Sequence, residues 1–484
     1  MDFLEAPHTQ VLAVAAALVT GVTVYNTLST STAKVPGPWY TKWTGLVKHY
    51  HTLHANKPKW VHSLHQQYGP VVRLSPNEVS ISDPKDLKVV YNVKESFIKS
   101  QFYEAFAGPH LNEPSVFSTR NRESHRNQRR LLAGAMSESS LKLLYDDIFS
   151  LAGTAIARMS EELSTRGVID VAKWWLFYTT DTIGTLTFGS SFEMLELGKK
   201  TQYSEDLATL GKSTGIRIVF PSLFRWAAYI PGIAQIFGEA QNALIRLDGY
   251  AMTSIKRQET AEKETLFSKI IRAKDEDKMG YSELRANARS YIVAGSDTTS
   301  TTLTYLVWSI CGDLKMRDRV VEEVKGLSDE FTDADTRQLK FLNCAIKETL
   351  RLYSAVPAGM PRDVPAGGAV IGGYHLDAGV TVAAQPYTVN RNPEVFPNPD
   401  EFNPDRWLHE TREMNDSIFT FGGGSRICIG LHLAEMEIRV AASKFFREFP
   451  NVSRSSKEGM TPGDMDPKLM FLMFPAGGRC LVQN

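Results

Sequence analysis

The ten residues Phe421–Gly430, FGGGSRICIG, constrain this chain more than any other stretch. Gly422, Gly423 and Gly424 loosen the backbone ahead of Cys428, one of only four cysteines in 484 residues. Glycine permits φ > 0 and removes Cβ atoms that would collide with a flat partner. A lone thiolate in such a loop suits two tasks, attack on a substrate or ligation of a metal. Attack needs a base, and the nearest histidine, His432, falls in the helix predicted to follow. Ligation needs N–H donors and a close backbone. Gly430 lets the start of that helix approach the same partner, and a helix N-terminus stabilises a thiolate. Arg426 can pair with an acidic group on the partner.

The remaining cysteines, Cys311, Cys344 and Cys480, are scattered and form no CxxC pair. That excludes a disulfide scaffold and a thiol-rich zinc site. Lys and Arg total 54, balanced by 54 Asp and Glu, so no polyanion-binding surface is expected and nucleic acid is not a partner.

Val11–Leu28, VLAVAAALVTGVTVYNTL, carries no charge, and the uncharged stretch runs to Ala33. A spanning helix needs about 20 apolar residues, so residues 1–33 are predicted to form an N-terminal membrane anchor helix. Lys34, Lys42 and Lys48 follow it, which puts the body on the cytosolic side. Asp2 and Glu5 precede it, unlike the basic start of a cleaved signal peptide. Pro36 and Pro38 stop the helix and mark residues 34–41 as a Pro-rich hinge, with the body at 42–484. In the body, Tyr68–Pro84 reads as a β-hairpin. Lys142–Leu163 and much of the chain up to Ser354 have helical spacing. Val219–Phe237 reads as a buried helix pair or a surface touching lipid. Short strands such as Gly379–Ala384 follow Pro357, then a Pro-rich coil, Asn390–Trp407, and a last helix after Gly430. No repeat, charged linker or composition break divides the body. The expected class is mainly α with a minor β portion.

FGGGSRICIG resembles the haem-binding signature of the cytochromes P450, with Phe421, the glycines, Arg426, Cys428 and Gly430 in register. The resemblance covers about Val35 to the end. It implies the cytochrome P450 fold, a single large haem domain, with the Cys428 thiolate as axial ligand of the haem iron. KETLR sets Glu348 and Arg351 on one helix face, which alone is an ordinary surface pair worth a few tenths of a kcal/mol. The resemblance adds Arg406 from FNPDRW and implies a buried structural network of the three. AGSDTT, Ala294–Thr299, lies in an apolar helical stretch from about Tyr281 to Cys311. It resembles the family's distal helix, which kinks over the haem. Asp297 and Thr298 would then deliver protons as the O–O bond breaks, and Gly295 would leave room for oxygen and substrate. HRNQRRLL places His125 and Arg129 one turn apart, where the family has Trp and Arg on a haem propionate; histidine is this chain's departure. Arg362 in PAGMPRD resembles another propionate arginine. Arg122, Arg126 and Arg130 form either a solvated basic face or a docking patch for an acidic electron donor. The family's substrate pocket maps onto Phe102, Tyr103, Phe106, Phe117, Tyr291, Val293, Val356 and Met360, a lining for a lipophilic molecule.

By this resemblance the protein is a monooxygenase using haem b (iron protoporphyrin IX) and O2 on a lipophilic small-molecule substrate. AGGAVIGG, Ala366–Gly373, lacks the G-x-G-x-x-G spacing of a dinucleotide site. Electrons from NADPH would therefore come through a separate NADPH-cytochrome P450 reductase, with cytochrome b5 as an optional second donor. The expected location is the endoplasmic reticulum membrane, single-pass, with the catalytic domain facing the cytosol. VPGPWYTKW and YGPVVRLSPNEV look like fungal enzymes of secondary metabolism. Hydroxylation, epoxidation, desaturation and oxidative coupling all stay open on this scaffold. An isomerase needing no O2 is disfavoured by Asp297–Thr298, and a non-catalytic haem binder or gas sensor is the remaining alternative.

Overall fold

Two buried apolar clusters organise the chain, one among helices and one around a small sheet. The computed structural model describes residues 21–22, 24–25, 27–106, 114–219, 232–260, 265–271 and 279–484. The helices that position the site are α1 (Arg122–Ala133), α2 (Tyr145–Arg166), α3 (Val171–Phe188), α4 (Tyr281–Ile310), α5 (Lys340–Leu352) and α6 (Leu431–Glu448). The helix expected over Lys142–Leu163 is two elements, a short Glu138–Lys142 turn and then α2.

α3 and α4 form the centre. α3 buries every residue from Phe177 to Gly184, and α4 does so from Thr299 to Ile310. A helix buried on all sides belongs in the middle of a large helical body. α4 runs unbroken through Asp297 and Thr298, with no interruption at the expected kink. Its hydroxyls turn back on their own helix, Thr298 Oγ1 donating to Ala294 O at 2.7 Å and Thr302 Oγ1 to Thr298 O at 2.9 Å. α2 and α6 pack beside this pair.

The sheet is built from β1 (Val71–Ser75), β2 (Glu78–Ile81), β3 (Ile98–Lys99), β4 (Arg362–Asp363) and β5 (Thr381–Ala384), in the order β1-β2-β5-β4-β3. β1 and β2 are the expected hairpin, with Val71 opposite Ile81. β2 pairs β5 in parallel, Glu78 with Thr381, so residues about 300 apart in sequence share one register. AGGAVIGG supplies one strand of a separate two-stranded hairpin, Ala369–Ile371 with Tyr374–Leu376. The cysteine loop lies at the seam between the two cores. Phe419 is buried in the sheet cluster, whereas Phe421 packs on the helical one.

Among the described residues no helix is long and apolar enough to cross a membrane. Most of the anchor expected at 1–33 lies outside them, as do residues 220–231 of the apolar stretch Val219–Phe237. The last residues of that expected anchor and the hinge after it are fastened to the body. Arg73, 1% exposed, donates to the carbonyls of Thr32, Ala33 and Val35 and to Thr41 Oγ1.

Candidate active site

The cysteine loop closes on itself before α6 begins. The Cys428 N–H donates to Phe421 O at 2.9 Å and the Ile427 N–H to Gly424 O at 3.2 Å. Gly422 and Gly424 take φ of +72° and +63°, which a side chain rarely adopts. What demands glycine at 424 is not a flat partner. A Cβ there would lie 2.4 Å from Tyr91 O and 2.6 Å from Asn92 O, so the loop is pressed against the Tyr91–Asn92 backbone. At Gly430, by contrast, the nearest atom a Cβ would meet is Cys428 Sγ, at 4.0 Å. That glycine leaves space beside the sulfur.

Cys428 is the exposed member of the four free thiols; the other three are buried. Yet burial pushes its pKa up, while the Gly430 backbone hydrogen bond and the Arg129 charge pull it down. A thiol both open and densely surrounded faces an internal cleft. Tyr291 of α4 feels the charges of Cys428 and Arg129, and its buried hydroxyl has no hydrogen-bond partner among the described residues. Tyr291, one of the aromatics expected to line the substrate pocket, lies within electrostatic reach of the cysteine, its ring 5.2 Å from that of Phe267 between centroids.

Basic side chains gather at the edge of this cleft. Arg129 donates to Ile427 O at 2.8 Å, one residue from the cysteine. His125 Nδ1 lies 3.0 Å from Glu95 Oε1, and burial, then Arg426, pushes its pKa down to about 4. Arg426 pairs with the same carboxylate at 3.2 Å and donates to Thr119 O at 3.0 Å. Arg362 donates to Tyr103 Oη at 3.0 Å. Lys99, which sequence reasoning missed, is 5% exposed. It donates to Phe117 O and lies over the Tyr103 and Phe117 rings. Burial, then Arg362 and Arg426, hold its pKa well below the ordinary lysine value. Five basic side chains therefore share this edge, and Glu95 pairs with two of them, Arg426 and His125. His125 is neutral at neutral pH, but the guanidinium charges of Arg129 and Arg426 are poorly solvated, which is costly unless an anion joins them. A porphyrin bearing two propionates, ligated by Cys428, fits both the charge and the open thiol.

Further along α4 from Tyr291, Asp297 and Thr298 follow one another. Burial raises the Asp297 pKa to about 6, against which the Lys200 charge acts weakly. Gly295 does not open space for oxygen as its motif suggested. A Cβ there would meet Ile183 Cγ1 at 2.9 Å, so the glycine lets α3 and α4 touch. Four expected pocket residues do meet: Phe102, Tyr103, Phe106 and Phe117 contact one another at centroid separations of 5.3–6.5 Å. Phe471, from the turn between the C-terminal strands Pro467–Leu469 and Met473–Pro475, joins them 4.8 Å from Phe106. No sequence motif marked it. Val293 is 38% exposed and Val356 half-buried. Met360 sits by the cysteine loop, its sulfur 3.4 Å from where a Cβ at Gly422 would lie, and its carbonyl accepts from Tyr91 Oη at 2.7 Å. Residues 107–113 of the same expected pocket lie outside the described residues.

The charge network is assembled behind the site. Arg351 and Glu348, both fully buried, form two bonds of 2.8 Å, and Arg406 reaches Glu348 Oε1 at 3.0 Å. The Trp407 indole N–H and the Asn403 N–H add bonds of 2.9 Å. Arg351 also donates to the carbonyls of Asn390, Pro399 and Glu401. The Pro-rich coil is thereby tied to α5, and both oxygens of the buried carboxylate are satisfied.

The family model described as Cytochrome P450 matches residues 35–481. The chain is similar to the cytochrome P450 monooxygenase tazI of Aspergillus terreus, 42% identical across the whole of both chains. It is 36% identical to the cytochrome P450 monooxygenase orf2 of Aspergillus niger, over 95% of this chain and 94% of that one. It is 32% identical to the cytochrome P450 monooxygenase stcB of Emericella nidulans, over 86% and 81% respectively.

Proposed function

This chain belongs to the cytochrome P450 family, and we propose that it inserts one atom of O2 into a lipophilic intermediate of fungal secondary metabolism. The observation that carries this reading is Cys428, open to a cleft whose edge gathers five basic groups, with the helix that bears Asp297 and Thr298 bringing Tyr291 within reach of the Cys428 charge. Haem bound there supplies activation of O2, one atom going to the substrate and the other leaving as water.

The remaining work falls to side chains of this protein. Cys428 provides the thiolate ligand, with Gly430 and Arg129 favouring its charge. Arg129, Arg362, Arg426 and His125 would hold the propionates, and the buried Lys99 amine lies within reach of Arg362 and Arg426. Asp297, with a pKa of about 6, can gain and lose a proton near neutrality, as an acid–base group should. Thr298 carries that proton at Oγ1 once its bond to Ala294 O opens. The cluster of Phe102, Phe106, Phe117 and Phe471 excludes water and offers flat apolar surface to the substrate.

Electrons reach the site from a separate NADPH-dependent flavoprotein reductase. The exposed Arg122 and Arg126 lie on α1, whose Arg129 touches the cysteine loop, and suit an acidic donor. Attachment to the endoplasmic reticulum membrane through the N-terminal segment is supported by the surface next to it in the chain. Trp39, Trp43, Leu46, Tyr50 and Leu53 are all exposed, an apolar face that suits the membrane interface.

Co-expression with such a reductase, followed by product analysis under 18O2, tests the reading. One labelled oxygen in the product, or a labelled product derived from it, is the expected result. Cys428→Ala should abolish the long-wavelength Soret band of the reduced CO complex. Thr298→Ala should keep that band but oxidise NADPH without product. Retention of the band in the Cys428 variant would remove the basis of the assignment.

A further inference from the structure

Glu95 is the acidic member of the basic cluster, and no motif marks it. Its Oε1 accepts from Ser425 Oγ at 2.7 Å and from Arg426 Nε at 3.2 Å, and lies 3.0 Å from His125 Nδ1. Its Oε2 accepts from Arg426 Nη2 at 3.3 Å. One carboxylate thus ties two residues of the cysteine loop to α1. Its side chain is 13% exposed, against 7% for Arg426 and 3% for His125.

The backbone is built to aim it. Glu95 holds φ at +52°, in the left-handed region that a residue with a side chain adopts only when its surroundings impose it. Those surroundings are visible. The Glu95 N–H donates to Asn92 O, and the Asn92 side chain donates to Val89 O at 2.6 Å and Ser96 Oγ at 2.7 Å. Tyr91 Oη donates to Met360 O and accepts from the Ala384 N–H. Gly424, lacking a Cβ, lets this turn press onto the cysteine loop. Against burial, the Ser425 hydroxyl and the Arg426 guanidinium keep the carboxyl below the ordinary glutamate range, so it is charged at neutral pH.

We propose that Glu95 is a positioning residue for the haem. Its carboxylate fixes Arg426 and His125 at the edge of the cofactor and sets, through its own charge, the reduction potential of the iron. The inference rests on the haem reading of the site. A negative charge there favours the ferric form, which carries one more positive charge than the ferrous. Removing that charge must raise the potential.

The test is spectroelectrochemical titration of the haem-loaded full chain, with transfer of haem to an acceptor apoprotein as a second measurement. Glu95→Gln keeps the shape and removes the charge. It should shift the ferric-to-ferrous equilibrium on the order of tenfold, about 59 mV upward for one electron. It should also speed haem transfer severalfold. Glu95→Asp restores the charge and should return the potential towards wild type, a rescue that a packing role alone would not give. If Glu95→Gln yields no folded protein, Ser425→Ala removes one hydrogen bond to the same carboxylate at constant charge. It should speed haem transfer and leave the potential unchanged. A Glu95→Gln protein with wild-type potential overturns the proposal while leaving the haem reading intact, as does a Ser425→Ala protein with wild-type transfer. A wild-type chain that takes up no haem overturns both.

Discussion

At the scale of the residue, the site is governed by charges held out of water. Asp297 has a folded pKa of about 6, above that of an unfolded aspartate. The folded state therefore binds its proton more tightly than the unfolded state does. Stability from this group is full below about pH 4, where both states are protonated. It falls as pH rises through the window between the two values and levels off above about pH 6. Asp297→Asn should thus melt at a higher temperature than wild type above pH 6, and the gap should close towards pH 4. Thermal unfolding across that range reads it directly; a gap independent of pH would refute the assigned protonation. Cys428, Glu348 and Arg351 were legible in the sequence because their spacing is short and their neighbours distinctive. Glu95 and Lys99 were not. Neither belongs to a repeated pattern, and what makes each matter is a partner far along the chain, Ser425 and Arg426 for one and Arg362 and Arg426 for the other.

At the scale of the element, α4 was read with nearly correct ends, because Gly280 opens it and a long apolar stripe continues to Ile310. The role of Gly295 within it was misread. A glycine beside an acid and an alcohol suggested room for a small molecule, but the room belongs to Ile183 of α3. The distinction is invisible in sequence, since both uses need only a missing Cβ. Gly295→Ala should destabilise the fold by about 1–3 kcal/mol through overpacking, because Ile183, branched at Cβ, cannot rotate away freely. Ile183→Ala in the same chain should recover a measurable share of that loss. Chemical denaturation of the four proteins of this cycle gives the coupling directly, and purely additive effects would contradict the α3–α4 contact. Similarly, Phe471 enters the aromatic cluster from a turn between two strands that no local pattern connects to Phe102–Phe117.

At the scale of the whole molecule, the expected hinge at 34–41 is preceded by residues already bonded to the body. Thr32 Oγ1 donates to Pro76 O at 2.6 Å, and the buried Arg73 takes its acceptors from Thr32, Ala33 and Val35. A chain beginning at Thr30 should leave the membrane fraction yet keep the haem spectrum and melting temperature. One beginning at Gly37 removes the three carbonyl acceptors of the buried Arg73 Nη1 and should lose about 1–3 kcal/mol; equal melting temperatures for the two would show that the clamp carries no stability. The sequence by itself determined the family, the thiol, the Glu348–Arg351 pair and the two main architectural halves, because each is written in spacings of a few residues that local geometry translates directly. Only the tertiary structure decided which face each glycine serves, which carboxylate meets the basic cluster and which phenylalanine completes the aromatic wall. Those are contacts between residues tens to hundreds of positions apart, and they exist only once two packed cores bring the cysteine loop to their common seam.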